Sequence, residues 1–117
     1  MDKSSKQMVK IAYDALSDKK GEEIKIIDIS AVSVIADYFV IASASNYSQL
    51  QALVDEAQDK LFKAGYEMRQ LEGYHNNNWV LIDFNDIIIH IFIKEDRSFY
   101  DLERLWKDGK IIEIDAL

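Results

Sequence analysis

The sequence predicts an α/β (α+β) fold: a single domain over residues 1–117, with a mixed β-sheet of about five strands flanked by helices. Three observations predict it. Residues 79–93 hold two β-branched and aromatic runs separated by a polar break, the pattern of a β-hairpin. Residues 38–43 are apolar on both faces, as in a central strand covered on both sides. Two further stretches repeat their apolar residues at helical spacing.

In chain order, a first helix is expected over residues 5–19, where Met8, Ile11, Ala12, Ala15 and Leu16 line one side. Ser4 and Ser5 are its candidate N-caps, and Lys19, Lys20 and Gly21 close it. Residues 23–30 alternate with Ile24, Ile26 and Ile29 and predict a strand, followed by an irregular connection over 31–37. After the strand over 38–43, Ser45, Asn46 and Ser48 compete to cap a second helix, and Gln51 is spaced for a capping box with Ser48. Leu50, Leu53, Val54, Ala57, Leu61 and Ala64 form its apolar side, and Gly65 stops it. Residues 66–72 predict a less regular strand. Strand, helix and strand over 38–72 then read as a right-handed crossover between parallel strands.

A polar loop over residues 73–78, with three consecutive Asn, leads into the hairpin. Asp83 and Asp86 flank Phe84-Asn85, and Asn accepts positive φ, so the turn is placed there. Strand alternation puts Trp79, Leu81, Asp83, Asp86, Ile88, His90 and Phe92 on one face. Val80, Ile82, Phe84, Ile87, Ile89 and Ile91 fill the other, which is uniformly apolar and is assigned to the core beneath helices. The first face mixes a Trp, a His and two carboxylates among apolar side chains, the composition of a surface that meets something other than water. Beyond it, Phe99, Leu102, Leu105 and Trp106 predict a third helix. The tail Ile111-Ile112-Glu113-Ile114 is apolar enough to dock on the body or on another subunit.

Composition narrows the function. At 49% hydrophobic content, a chain of 117 residues suits one domain that buries about two-thirds of its unfolded surface. Without Cys there is no disulfide framework and no thiol chemistry, which fits a reducing compartment. The first ten residues carry three Lys and no apolar block, so a secretory signal is not expected. The longest uncharged run, residues 38–54, is too polar to span a bilayer. These features point to the cytoplasm. A net charge of −7 repels bare phosphate backbone and draws the chain toward a basic partner, ribosomal proteins being the commonest of these.

Catalytic patterns find little support. Metal-assisted nucleotidyl transfer needs carboxylates converging on Mg²⁺, typically one residue apart on a strand, whereas Asp83 and Asp86 lie three apart across a turn. No Gly-rich phosphate loop precedes a helix, and no Ser sits in a GxSxG elbow. His75 and His90, without Cys or an HExxH spacing, make a poor zinc pattern. No cofactor is expected. His90 reads as a half-buried histidine bonded to Asp83 or Asp86. Trp106 falls on a core stripe, while Trp79 admits core and interface readings equally.

The block Ser33-Val34-Ile35-Ala36-Asp37-Tyr38-Phe39-Val40-Ile41-Ala42-Ser43, then Glu72-Gly73, the hairpin from Trp79 to Phe92 and finally Phe99-Tyr100-Asp101-Leu102-Glu103-Arg104-Leu105-Trp106 resemble, in order, the blocks of the ribosome silencing factor (Iojap) family. Ala44 and Asn85 stand where that family often has Gly. The resemblance implies a mixed sheet related to the nucleotidyltransferase fold without that activity. It implies binding to protein number fourteen of the large ribosomal subunit, which blocks small-subunit joining and represses translation when nutrients are scarce. The family's Trp at the start of the hairpin lies at that contact, and the matching residue is Trp79. The contact set expected here is Trp79, Leu81, Asp83 and His90, with Tyr74 and Asp86 beside them. The same apolar face can pair with itself in a homodimer. A metal-dependent nucleotidyltransferase-like enzyme and a simple dimerisation module are the rival readings.

Overall fold

A computed structural model describes residues 2–31, 33–74, 78–94 and 109–117. Its elements are α1 (Asp2–Asp18), β1 (Glu22–Asp28), β2 (Tyr38–Ala44), α2 (Tyr47–Lys63), β3 (Gln70–Tyr74), β4 (Trp79–Asp83), β5 (Ile87–Ile93), β6 (Lys110–Ile112) and a 3₁₀ turn over Ile114–Ala116. The strands form one mixed sheet in the order β3-β4-β5-β2-β1-β6. β2 and β5 run parallel at its centre and every other neighbouring pair is antiparallel. Every residue of β2 and β5 is buried, as expected of apolar runs flanked by strands on both edges.

α1 and α2 lie side by side on one face of this sheet. Beneath them Val40, Ala42, Val80, Ile82, Phe84, Ile87, Ile89 and Ile91 form the main core with Leu16, Leu53 and Leu61 of the helices. Each fully buried Ile or Leu contributes roughly 2 kcal/mol by leaving water. A second apolar layer on the opposite face joins Ile27, Ile29, Ala36, Phe39, Ile41, Ile88 and Phe92, with Trp79 and Leu81 at its margin. The hairpin faces are therefore as alternation predicts, but the mixed face is not an open surface: most of it is a second core.

Several local expectations change. α1 begins at Asp2, so Ser4 and Ser5 are inside it; the buried Ser5 hydroxyl instead donates to Asp37 Oδ2 at 2.7 Å. Lys20, at φ 63°, is the left-handed residue of the α1 C-cap: its N–H reaches Ser17 O and that of Gly21 reaches Leu16 O, a Schellman pattern. Gly21 serves another need, since a Cβ there meets Leu16 O at 3.0 Å and Leu53 Cδ2 at 3.2 Å. β1 starts one residue early and carries a bulge between Glu22 and Lys25, with Glu23 at φ 49°. The helix cap is Asn46, whose side chain accepts from Gln49 N, while Gln49 Oε1 accepts from Ser45 N. That reciprocal pair replaces the expected box of Ser48 and Gln51, and Gln51 donates to Asp55 instead. Gly65, at φ 97°, stops α2 as expected, and Ala64 is exposed rather than core.

The crossover over residues 38–72 joins parallel strands as expected, but not adjacent ones: α2 carries the chain from β2 past two strand positions to the sheet edge, where β3 runs parallel to β2 and pairs antiparallel with β4. β5 takes the parallel position beside β2 because the tight hairpin turns it back into the centre. The tail docks on the body: β6 pairs antiparallel with β1 through Ile26 and Ile112, which makes six strands among the described residues where about five were expected. The expected helix carrying Phe99, Leu102, Leu105 and Trp106 lies outside the described residues, as does His75.

Candidate functional site

The hairpin of β4 and β5 positions most of the expected site residues. Its tip is Asn85-Asp86, one residue later than expected: Phe84 N donates to Ile87 O at 3.0 Å, and Phe84 stays in the core. Asn85, at φ 73°, centres a γ-turn closed by Asp86 N on Phe84 O, and its own N–H donates to Asp83 Oδ1 at 2.7 Å. Asn tolerates this left-handed backbone where most side chains do not.

Register then sets the face. Trp79 lies opposite Phe92 on one side and Tyr74 on the other; Leu81 lies between His90 and Glu72; Asp83 lies between Ile88 and Gln70. Trp79 stacks on Phe92 with ring centroids 5.2 Å apart, and its indole N–H donates to His90 Nδ1 at 3.1 Å across the diagonal. His90 is 3% exposed and meets the Phe39 ring edge to face at 4.6 Å. Because Nδ1 accepts, the imidazole proton sits on Nε2, which is buried without a hydrogen-bond partner among the described residues. Burial alone holds the histidine uncharged, pushing its pKa down to about 3.

This geometry revises the expected roles. His90 is fully rather than half buried, and its partner is Trp79, not Asp83 or Asp86. Asp83 is committed elsewhere: one carboxylate oxygen takes the Asn85 N–H and the other pairs with Arg69 Nη1 at 2.7 Å. Asp86 is exposed at the hairpin tip, while Trp79 is at the opposite end of β4, four strand steps or about 13 Å from Asp83. The structure therefore brings Trp79, Leu81 and His90 together and leaves Asp86 apart. Tyr74 is opposite Trp79 in backbone register. Arg69, Phe39 and Phe92 were not among the expected site residues; hairpin alternation could have supplied Phe92, but only the parallel pairing of β2 with β5 brings in Phe39.

Chemically, the exposed part of this site is small and apolar. Trp79 and Leu81 are half-buried at the margin of the second core, with Glu72 next to Leu81. Among the described residues no group of three or more His, Asp or Glu is arranged to hold a metal ion. Likewise, none of the described helices is long and apolar enough to cross a membrane. A pre-positioned indole with an aliphatic neighbour and an acidic border is the composition of a protein-contact patch.

A family model described as "Ribosomal silencing factor during starvation" matches residues 2–117. The chain is 37% identical over 112 residues to ribosomal silencing factor RsfS of Bacillus subtilis, covering 96% of this chain and 95% of that one. It is 35% identical over 114 residues to the protein of the same name from Halalkalibacterium halodurans, covering 97% of both. The crystal structure of a Chromobacterium violaceum protein superposes with a TM-score of 0.83 at 33% identity, covering 86% of this chain and 84% of that one.

Proposed function

The chain belongs to the ribosomal silencing factor family, and from that premise we propose that it binds the large ribosomal subunit through that subunit's protein number fourteen, blocks small-subunit joining and so represses translation when nutrients are scarce. The observation that carries this reading is the hydrogen bond from Trp79 to buried His90. It holds an aromatic anchor at the rim in one orientation before any partner arrives, which lowers the entropy lost on binding. His90 is thus a positioning residue and Trp79 and Leu81 are the contacts.

Action is steric and needs no chemical step or cofactor. The net charge of −7 speeds encounter with a basic ribosomal protein and discourages contact with bare rRNA. The site of action is the cytoplasm, where subunits join. Free in solution, the same patch pairs with a second copy, and the subunit competes with that homodimer.

Co-sedimentation tests the proposal. Wild type and Trp79→Ala are run with isolated large subunits on a density gradient, and small subunits are then added. Co-migration of the wild type that blocks subunit joining and weakens in the variant is the expected result. Wild-type protein that stays at the top of the gradient overturns it.

A further inference from the structure

The patch of Trp79 and Leu81 has one carboxylate beside it in register, and the sheet order fixes where that carboxylate stands. β3 is an outer strand of the sheet, next to β4. Leu81 lies between buried His90 on β5 and Glu72 on β3. Directly opposed residues of an antiparallel pair share a face, so the Glu72 side chain is on the Trp79 side of the sheet, whereas Leu71 is on the helix side. Such opposed side chains start about 5 Å apart, and Trp79 is on the diagonal at about 7–8 Å. Toward the centre of the sheet this face is closed by the second core of Phe39, Ile88 and Phe92. A partner seated on Trp79 and Leu81 therefore overlaps β3 and meets Glu72.

The surrounding charges leave Glu72 available. It is half-buried, and no cation among the described residues pairs with it. Arg69 donates to Asp83, two residues along β4 from Leu81, and that pair carries no net charge. Gln70, the residue of β3 opposite Asp83, is neutral. The patch thus has one net negative charge beside an apolar centre. A carboxylate partly withdrawn from water without a counter-ion has lost hydration, and a cation placed on it restores the lost interaction.

We propose that Glu72 is the specificity-determining charge of this contact: it accepts a charge-assisted hydrogen bond from a Lys or Arg side chain of the partner, whose aliphatic stem lies across Leu81. The proposal rests on the reading of the Trp79 patch as the ribosomal contact and assigns a chemistry to its border. Three or four methylene groups span the roughly 5 Å from Leu81 to Glu72. Trp79 and Leu81 alone would accept many apolar surfaces, and the carboxylate penalises those that bring no matching cation.

The test titrates the full chain with purified ribosomal protein fourteen of the large subunit at about 50 and about 500 mM salt, between which the screening length falls from about 14 to about 4 Å. Wild type is compared with Glu72→Gln, Glu72→Lys, Trp79→Ala and Asp55→Asn, the last removing an exposed carboxylate from α2 on the opposite side of the sheet. At low salt Glu72→Gln is expected to bind about tenfold more weakly and Glu72→Lys about a hundredfold, both losses shrinking several-fold at high salt. Trp79→Ala should lose the same factor at both salts, and Asp55→Asn should bind within about twofold of wild type. The thermal midpoints of both Glu72 variants should match that of wild type. Wild-type binding that neither Glu72 variant alters overturns this proposal but not the reading it rests on, and assigns Glu72 to guarding the sheet edge against strand pairing. Equal weakening by Asp55→Asn overturns it in favour of net charge, and a Glu72→Gln loss that stays constant with salt overturns it in favour of shape. Wild type that does not bind protein fourteen at either salt removes both.

Discussion

On the helix-covered face of the sheet, Val40, Ile82, Ile89 and Ile91 are closed in by Leu53, Ala57 and Leu61 without a polar atom among them. On the other face, Phe39, Ile41 and Phe92 share their layer with His90, whose Nε2 is buried without a partner among the described residues. The same two strands build both faces, so strand propensity cannot explain the difference. An apolar residue at position 90 would pack with no orphaned donor, whereas the histidine accepts the Trp79 indole N–H. The helix-covered face is organised for stability, and the other gives up some stability to orient one side chain at its margin.

The largest effect should come from the first face. Ile89→Ala empties a fully buried site and is expected to cost about 2–5 kcal/mol in urea unfolding, with no binding defect in the molecules that remain folded. Equal costs for Ile89→Ala and for truncation at half-buried Trp79 would erase the distinction between the faces. Next, Trp79→Ala should weaken binding to purified ribosomal protein fourteen by about 2 kcal/mol or more, roughly thirtyfold, read by titration calorimetry. A variant that binds as the wild type does removes Trp79 from the contact.

The third prediction concerns pH. The ordinary pKa of His90 is 6.5 and burial lowers it to about 3, so the folded state keeps it neutral while the unfolded chain protonates. Its contribution is complete above pH 6.5 and is lost progressively as pH falls toward about 3. At about 1.4 kcal/mol per pH unit, roughly 2 kcal/mol should be gone by about pH 5. His90→Phe should lose that part of the acid dependence, so between pH 7 and 5 the stability of the variant relative to wild type should shift in the variant's favour by about that amount. Parallel curves would show that the histidine is solvated. The smallest effect is expected at the margin, where Arg69→Ala breaks an ion pair whose Arg side chain is 59% exposed. Thermal unfolding should register a loss of about 1 kcal/mol or less.

Legibility followed locality. Hairpin alternation sorted β4 and β5 correctly because opposite faces are set by a period of two, and Asn85 marked the turn through its tolerance of positive φ. Alternatives stayed open where several residues could fill one role. Asn46, one of three candidate caps, caps α2, and Lys20 rather than Gly21 takes the left-handed position, since each choice depends on where a neighbouring side chain or backbone already lies. Among site residues, the shared face of Trp79, Leu81 and His90 was readable from alternation, whereas the pairing of Asp83 with Arg69 and of His90 with Trp79 was not.

By itself, then, the sequence determined the types of α1, α2 and the strands β1 to β5, the apolar face of each hairpin strand, the acidic charge and, through ordered blocks of residues, the family. These depend on short-range periodicity and on composition, which the linear chain carries. Only the tertiary structure decided that α2 leads to the sheet edge, that the tail supplies a sixth strand beside β1, and that the mixed face is closed over His90. Each of these depends on which distant segments compete for the same apolar surface. That competition is settled by packing the whole domain at once.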